Sequence, residues 1–154
     1  MFHKVTTAYP LAHRFIFACF TDGEIRVYDM ANLIEKIPLF KNLHDEKLFD
    51  AVKVDAGGYG ISWNDDIDLS SDEIYESGRV FEVIERETRR VVDETVAARR
   101  AACVSQKQLE ESSGVKQPVI ARVESGASTP RLDTLLRILA PLGKTLKVVD
   151  IVAE

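Results

Sequence analysis

The chain has 154 residues, 45% hydrophobic and 29% charged, the composition of an ordinary globular protein with one domain or two small ones. No apolar run approaches the roughly 18 residues of a membrane-spanning helix, and no basic stretch followed by an apolar one stands at the N-terminus, so the sequence predicts a cytoplasmic protein without a membrane span. The formal net charge of −5 argues against a nucleic-acid partner until the chain is split: residues 1–86 carry 9 Lys and Arg against 16 Asp and Glu, whereas residues 87–154 carry 11 against 9 and could approach phosphate.

Residues 2–9 and 13–20 are rich in β-branched and aromatic side chains and read as strands. The Asp22-Gly23 turn leads into an alternating segment, residues 24–29, the third strand of a meander. A short helix is expected over 31–36, and a second helical patch follows Pro38 with Leu39, Phe40, Leu43, Leu48 and Phe49. Val52 and Val54 suggest a short strand, Gly57-Gly58-Tyr59-Gly60 a loop, and Ile61-Ser62-Trp63 an extended segment. Ser70 or Ser71 can cap an acidic helix that ends near Gly78.

The loop around 55–70 admits three chemical readings. GGYG could cradle a phosphate, but lacks the spacing and the Lys-Ser/Thr of a P-loop. Asn64, Asp66 and Asp68 alternate like a calcium loop, but Leu69 and Tyr75 stand where Gly and Glu belong. The third reading is a tight turn followed by capping and solvated carboxylates. Tyr59, with Asp65 and Asp66, is the candidate exposed surface for a protein partner. His3, His13 and His44 show no ligand spacing, and Cys19 and Cys103 read as small buried hydrophobes. No metal, cofactor or catalytic group is expected.

The motifs Phe20-Thr21-Asp22-Gly23, Val27-Tyr28-Asp29, Pro38-Leu39-Phe40, Gly57 through Asp65 and Asp68-Leu69-Ser70 resemble those of the uncharacterised DUF2442 family. The resemblance covers residues 2–78 and implies a small α+β domain, an antiparallel sheet with short helices. Its members are often encoded beside small toxin-like proteins, which implies an antitoxin-like role.

Residues 79–103 contain no Gly or Pro and repeat apolar residues (Val80, Phe81, Ile84, Val91, Val92, Val96) near helical spacing. They predict a continuous or once-broken helix: 79–90 as linker, the rest as the first helix of a second domain over 91–154. The wide face of 80–96 is a candidate dimer surface; alternatively Phe81 and Ile84 pack back on the N-terminal sheet. Next comes SQKQLEESSGVKQPVIARVESG, residues 105–126. A helix capped by Ser105 ends at Gly114, and another begins near Gln117 with Pro118 in its first turn and Gly126 after its end. Helices joined so tightly must cross steeply, as in a helix-turn-helix.

Ser105-Gln106, Leu109, Gly114-Val115, Gln117, Ile120, Arg122-Val123-Glu124, Ser125-Gly126, Pro130, Leu132 to Leu135 and Leu142-Gly143 resemble, in order and spacing, the XRE (Cro/CI-type) family. The resemblance spans residues 88–143 and implies an all-α, lambda-repressor-like fold with an Arg–Glu ion pair at Arg99 and Glu124. Base contacts are expected from Gln117 to adenine, Arg122 to guanine and Val119 to a thymine methyl, with Pro118 beside them. Phosphate contacts are expected from Ser105, Gln106, Lys116 and Arg131. Lys116 stands where the family has a capping Ser or Thr, and Glu110 where it has Ala. Residues 144–152 alternate well enough for an extra strand, pairing with its mate in a dimer or with an edge of the N-terminal sheet.

The sequence therefore predicts a non-enzymatic, homodimeric regulator that binds double-stranded DNA. The alternative is an antitoxin-type protein whose N-terminal domain binds a toxin and whose helix-turn-helix autoregulates its operon.

Overall fold

The computed structural model describes residues 2–152. The chain divides into two compact units, residues up to Phe81 together with 150–152, and Glu82–Val149.

The first unit opens with a meander of β1 (Val5–Leu11), β2 (Phe15–Phe20) and β3 (Ile25–Asp29). Asp22 and Gly23 close the second hairpin as the sequence predicts: Asp22 Oδ1 accepts the Glu24 N–H at 2.9 Å. The first hairpin has no glycine. It turns through Ala12–Arg14, with His13 and Arg14 both at positive φ, a bend with no signature in the sequence. Alternation along β2 sends Ile16, Ala18 and Phe20 into the main core. Phe17 meets Phe81 edge-on at 5.8 Å.

The chain continues through α1 (Ala31–Lys36), a 3-10 segment at Pro38–His44 and α2 (Glu46–Phe49), which Asp45 caps. A second sheet pairs β4 (Lys53–Val54), β5 (Gly60–Ser62) and β6 (Asp68–Ser70) in that order. Between helical segments and sheet lies Trp63, whose indole N–H donates to the Phe49 carbonyl at 3.0 Å while its ring meets Phe40 and Phe49. Ser70 caps α3 (Ser71–Ser77).

The helix expected from residue 79 does not start there. Arg79–Val80 form β7, which pairs with the open edge of β3, and the Phe81 N–H bonds to Ile25 O at 2.9 Å. An open edge satisfies backbone groups that a helix start leaves unpaired. Phe81 is buried in this unit, whereas Ile84 is 79% exposed, so residues 80–96 do not form one apolar helix face.

In the second unit, α4 (Val83–Ala101), α5 (Gln106–Ser113), α6 (Gln117–Glu124) and α7 (Leu132–Leu139) enclose Leu109, Val115, Ile120 and Ile138. Val92, Val123, Leu135 and Leu139 are also buried. Pro141 lies in a closing 3-10 turn, Ala140–Leu142. The strand expected at 144–152 does not form: no described strand pairs with it, and Val148 is 97% exposed. Alternation alone makes no strand without a ladder partner. Cys103 is exposed and Cys19 half-buried, so neither is the buried hydrophobe expected.

The GGYG loop has a backbone explanation. Gly58 is buried at φ +77; its carbonyl accepts the Val5 N–H at 2.8 Å and its N–H bonds to Asp55 O at 2.9 Å. A Cβ there would lie 2.5 Å from the Val5 carbonyl oxygen. Gly58→Ala should therefore cost at least roughly 1–3 kcal/mol in backbone strain. Thermal unfolding followed by Trp63 fluorescence checks this, with an expected fall in Tm of about 5 °C or more.

Candidate nucleic-acid interface

The site is built on α5 and α6. Ser105 starts α5 with a full capping box: its Oγ accepts the Gln108 N–H (3.1 Å), and Gln108 Oε1 accepts the Ser105 N–H (2.8 Å). The Ser-x-x-Gln spacing is a sequence signal for this, and Gln108 is absent from the expected site residues. Gly114, at φ +73, turns the chain with no strain, and Val115 anchors the turn in the core.

The start of α6 is capped from outside the helix. Lys116 is the N-cap residue and offers no acceptor. Glu110 reaches across from α5 instead: its Oε2 accepts the Gln117 backbone N–H at 3.1 Å, and its Oε1 lies 3.1 Å from the Lys116 ammonium. The hydrogen bond from Lys116, then that from Gln117, holds the Glu110 carboxyl below the usual range. The two departures from the family pattern thus compensate one another: the acid on α5 replaces the missing hydroxyl cap of α6.

Ile120 and Val123 face the core, which turns Pro118, Val119 and Arg122 outward; Val119 is 41% exposed. Gln117 is half-buried beside them, its Nε2 donating to Gln106 Oε1 at 2.8 Å. Gln106 in turn donates from Nε2 to Glu124 Oε2 at 2.8 Å. Glu124 closes the chain on Arg99 in a bidentate pair, Nε to Oε1 at 2.6 Å and a terminal nitrogen to Oε2 at 2.9 Å, with side chains only 13% and 8% exposed. Arg99 also donates to the Val104 carbonyl at 2.9 Å. Burial pushes the Glu124 carboxyl up, but the hydrogen bonds from Arg99 and Gln106 outweigh it and hold the group below its ordinary range.

Arg131, the fourth expected phosphate contact, is the exposed N-cap residue of α7, 3.5 Å from Asp133. In the first unit Tyr59 is 53% exposed, with the Lys4 ammonium 4.9 Å from its ring centroid. Asp65 and Asp66 are exposed on a turn made by Asn64, whose Oδ1 accepts the N–H groups of Asp66 and Ile67.

Residues 5–80 match the family of proteins of unknown function DUF2442, and residues 97–149 match the Helix-turn-helix family. The chain joins a DUF2442 domain to an XRE-type helix-turn-helix domain. This helix-turn-helix protein is 54% identical over 61 residues to an uncharacterised HTH-type transcriptional regulator of Haemophilus influenzae, a match covering 40% of this chain and 62% of the relative. It is 36% identical over 63 residues to antitoxin HigA1 of Mycobacterium tuberculosis, covering 41% of this chain and 42% of the relative. A solved structure of a toxin-antitoxin module from Streptococcus pneumoniae is 46% identical, covers 54% of this chain and 83% of that one, and has a TM-score of 0.38. The chain thus spans less than two thirds of the curated relatives it matches.

Removing one partner of a buried ion pair strands the other charge, so Glu124→Ala should lower stability by roughly 3–5 kcal/mol in thermal unfolding. The pH dependence has a definite sign. A carboxyl with a lowered folded pKa stabilises fully above its unfolded pKa and loses that contribution as pH falls through the folded value. Wild-type Tm should therefore fall on acidification through the carboxylate range, and Glu124→Ala should show a shallower slope there.

Proposed function

We propose that this protein is a sequence-specific DNA-binding transcriptional regulator that lays α6 in the major groove. The supporting observation is the division of α6 into a buried face (Ile120, Val123) and an outward one bearing Pro118, Val119 and Arg122 beside Gln117. In this reading Gln117 pairs with adenine, Arg122 with guanine, and Val119 touches a thymine methyl. Ser105, Gln106, Lys116 and Arg131 hold phosphates, and Lys116 leaves Glu110 to do so. The protein acts by binding, without catalysis, on DNA in the cytoplasm.

One such module buries too little surface for tight specific binding, so the working form is a two-fold dimer on a palindrome. Exposed apolar residues of the second unit, Ile84, Leu132, Leu136, Val148 and Val149, are the interface candidates. Light scattering at micromolar concentration should give twice the monomer mass for the free protein and that mass plus one duplex with DNA; a single chain in both cases sinks the dimer.

The antitoxin relative supports a second reading, in which the N-terminal unit binds a toxin through Tyr59, Asp65 and Asp66 while the helix-turn-helix represses the shared operon. Growth arrest by a neighbouring gene product should then be relieved by the full chain and not by Tyr59→Ala.

Selection from a random duplex pool should return a preferred site. A bidentate Arg–guanine contact is worth about 1–3 kcal/mol of discrimination, so Arg122→Ala should weaken that site roughly 5- to 150-fold while sparing random DNA. Lys116→Ala should weaken both alike and reduce the salt slope by about one unit. Salt titrations of both variants on both duplexes check this, and equal losses for Arg122→Ala would make it a phosphate clamp.

A further inference from the structure

One carboxylate, that of Glu110, uses both of its oxygens at the turn between α5 and α6. Oε2 accepts the first backbone N–H of α6, that of Gln117, and Oε1 takes the Lys116 ammonium, each at 3.1 Å. A helix-start amide with a cation beside it is equally the pairing that receives the two free oxygens of a phosphate diester. The two anions therefore want the same donors. Exposure decides which contact can open. The Lys116 side chain is 79% exposed and that of Glu110 only 28%, so the lysine can swing outward while the carboxylate stays on the Gln117 N–H.

We propose that Glu110 is an autoinhibitory competitor of the DNA phosphate, an internal anion that must surrender Lys116 before the start of α6 can engage the backbone. This rests on the DNA-binding function proposed above and adds the residue that limits its affinity. The inhibition has two parts. Lys116 gives up one partner to gain another, so its contact with phosphate contributes less than that of an unpaired lysine. The carboxylate it leaves behind is a like charge beside the phosphate. Neither part depends on base sequence, because phosphate contacts carry no sequence information. Glu110 is thus a brake on all duplexes alike, and removing its charge strengthens binding without changing the preferred site.

The experiment is a double-mutant cycle of wild type, Glu110→Gln, Lys116→Ala and the double variant. Fluorescence anisotropy reads binding to the selected duplex and to a random one at about 0.1 M salt, where charges within roughly 10 Å still act. Glu110→Gln should bind both duplexes about three- to fivefold more tightly. Glu111→Gln, which removes the next and exposed acid of α5, should gain less than about twofold. Lys116→Ala should cost about two- to fivefold more affinity in the Glu110→Gln background than in wild type, since there the lysine leaves no partner. Glutamine keeps an acceptor for the Gln117 N–H; Glu110→Ala keeps none and should show the same coupling to Lys116, so the result does not hang on one variant folding. A coupling below about twofold, a gain no larger than that of Glu111→Gln, or a gain confined to the selected duplex would each overturn the competition while leaving DNA binding in place. Wild type that binds neither duplex at micromolar concentration overturns it together with the DNA-binding function.

Discussion

The second unit turns on the carboxylate of Glu124. It is the last residue of α6, where the helix dipole disfavours an anion. Its neighbours reverse that balance. Arg99, in the last turn of α4, supplies a bidentate cation, and Gln106, the first residue of α5, brings a donor from a helix N-terminus. Arg99 also bonds the Val104 carbonyl and so braces the turn in which Cys103 takes a left-handed conformation. One carboxylate thereby fixes the end of α4, the start of α5 and the end of α6. Such a pair adds little net stability, since desolvation offsets most of the attraction. Its effect is geometric: it holds three helix ends in one register, and the outward face of α6 depends on that register.

In the first unit the residues that look most like a chemical site are occupied by structure. Gly58 ties β1 to the second sheet by backbone bonds, Asp55 Oδ1 accepts the Ser62 hydroxyl at 2.6 Å, and Asn64 shapes its own turn. The glycines and carboxylates of this stretch answer to close backbone approach. Tyr59, just before β5, and Asp65 and Asp66, in the turn after it, are exposed, and their side chains take no part in those contacts.

The helix-turn-helix was legible because its signals are local. Ser105, Gly114, Pro118 and Gly126 mark the ends of two helices, and Leu109, Ile120 and Val123 give their buried sides. The meander was legible from alternation and from Asp22-Gly23. What escaped depends on distant partners. Arg79 and Val80 have helical neighbours in sequence, yet pair with β3 because that edge is open. Residues 144–152 alternate like a strand and have no partner strand among the described residues. The turn at His13 and Arg14 carries no glycine to announce its positive φ. Glu110 could be marked as unusual from sequence, but only the crossing of α5 and α6 reveals it as the cap.

That cap bears on how the protein meets DNA. The N-terminus of α6, the natural seat for a phosphate, holds a carboxylate in the free protein, with Lys116 paired to it. A phosphate arriving there meets a site already neutralised, and Lys116 must exchange one anion for another. The phosphate attraction, common to right and wrong sequences, is weakened by that exchange, while the base-edge contacts proposed for Gln117, Val119 and Arg122 are untouched by it. The acidic N-terminal half acts in the same direction, since residues 1–86 carry seven excess negative charges. A regulator competing against a genome of wrong sites is limited by its ratio of specific to non-specific affinity. Acids placed at the helix end and across the first half of the chain weaken the phosphate contribution to both, and so leave that ratio to the base-edge contacts proposed for α6.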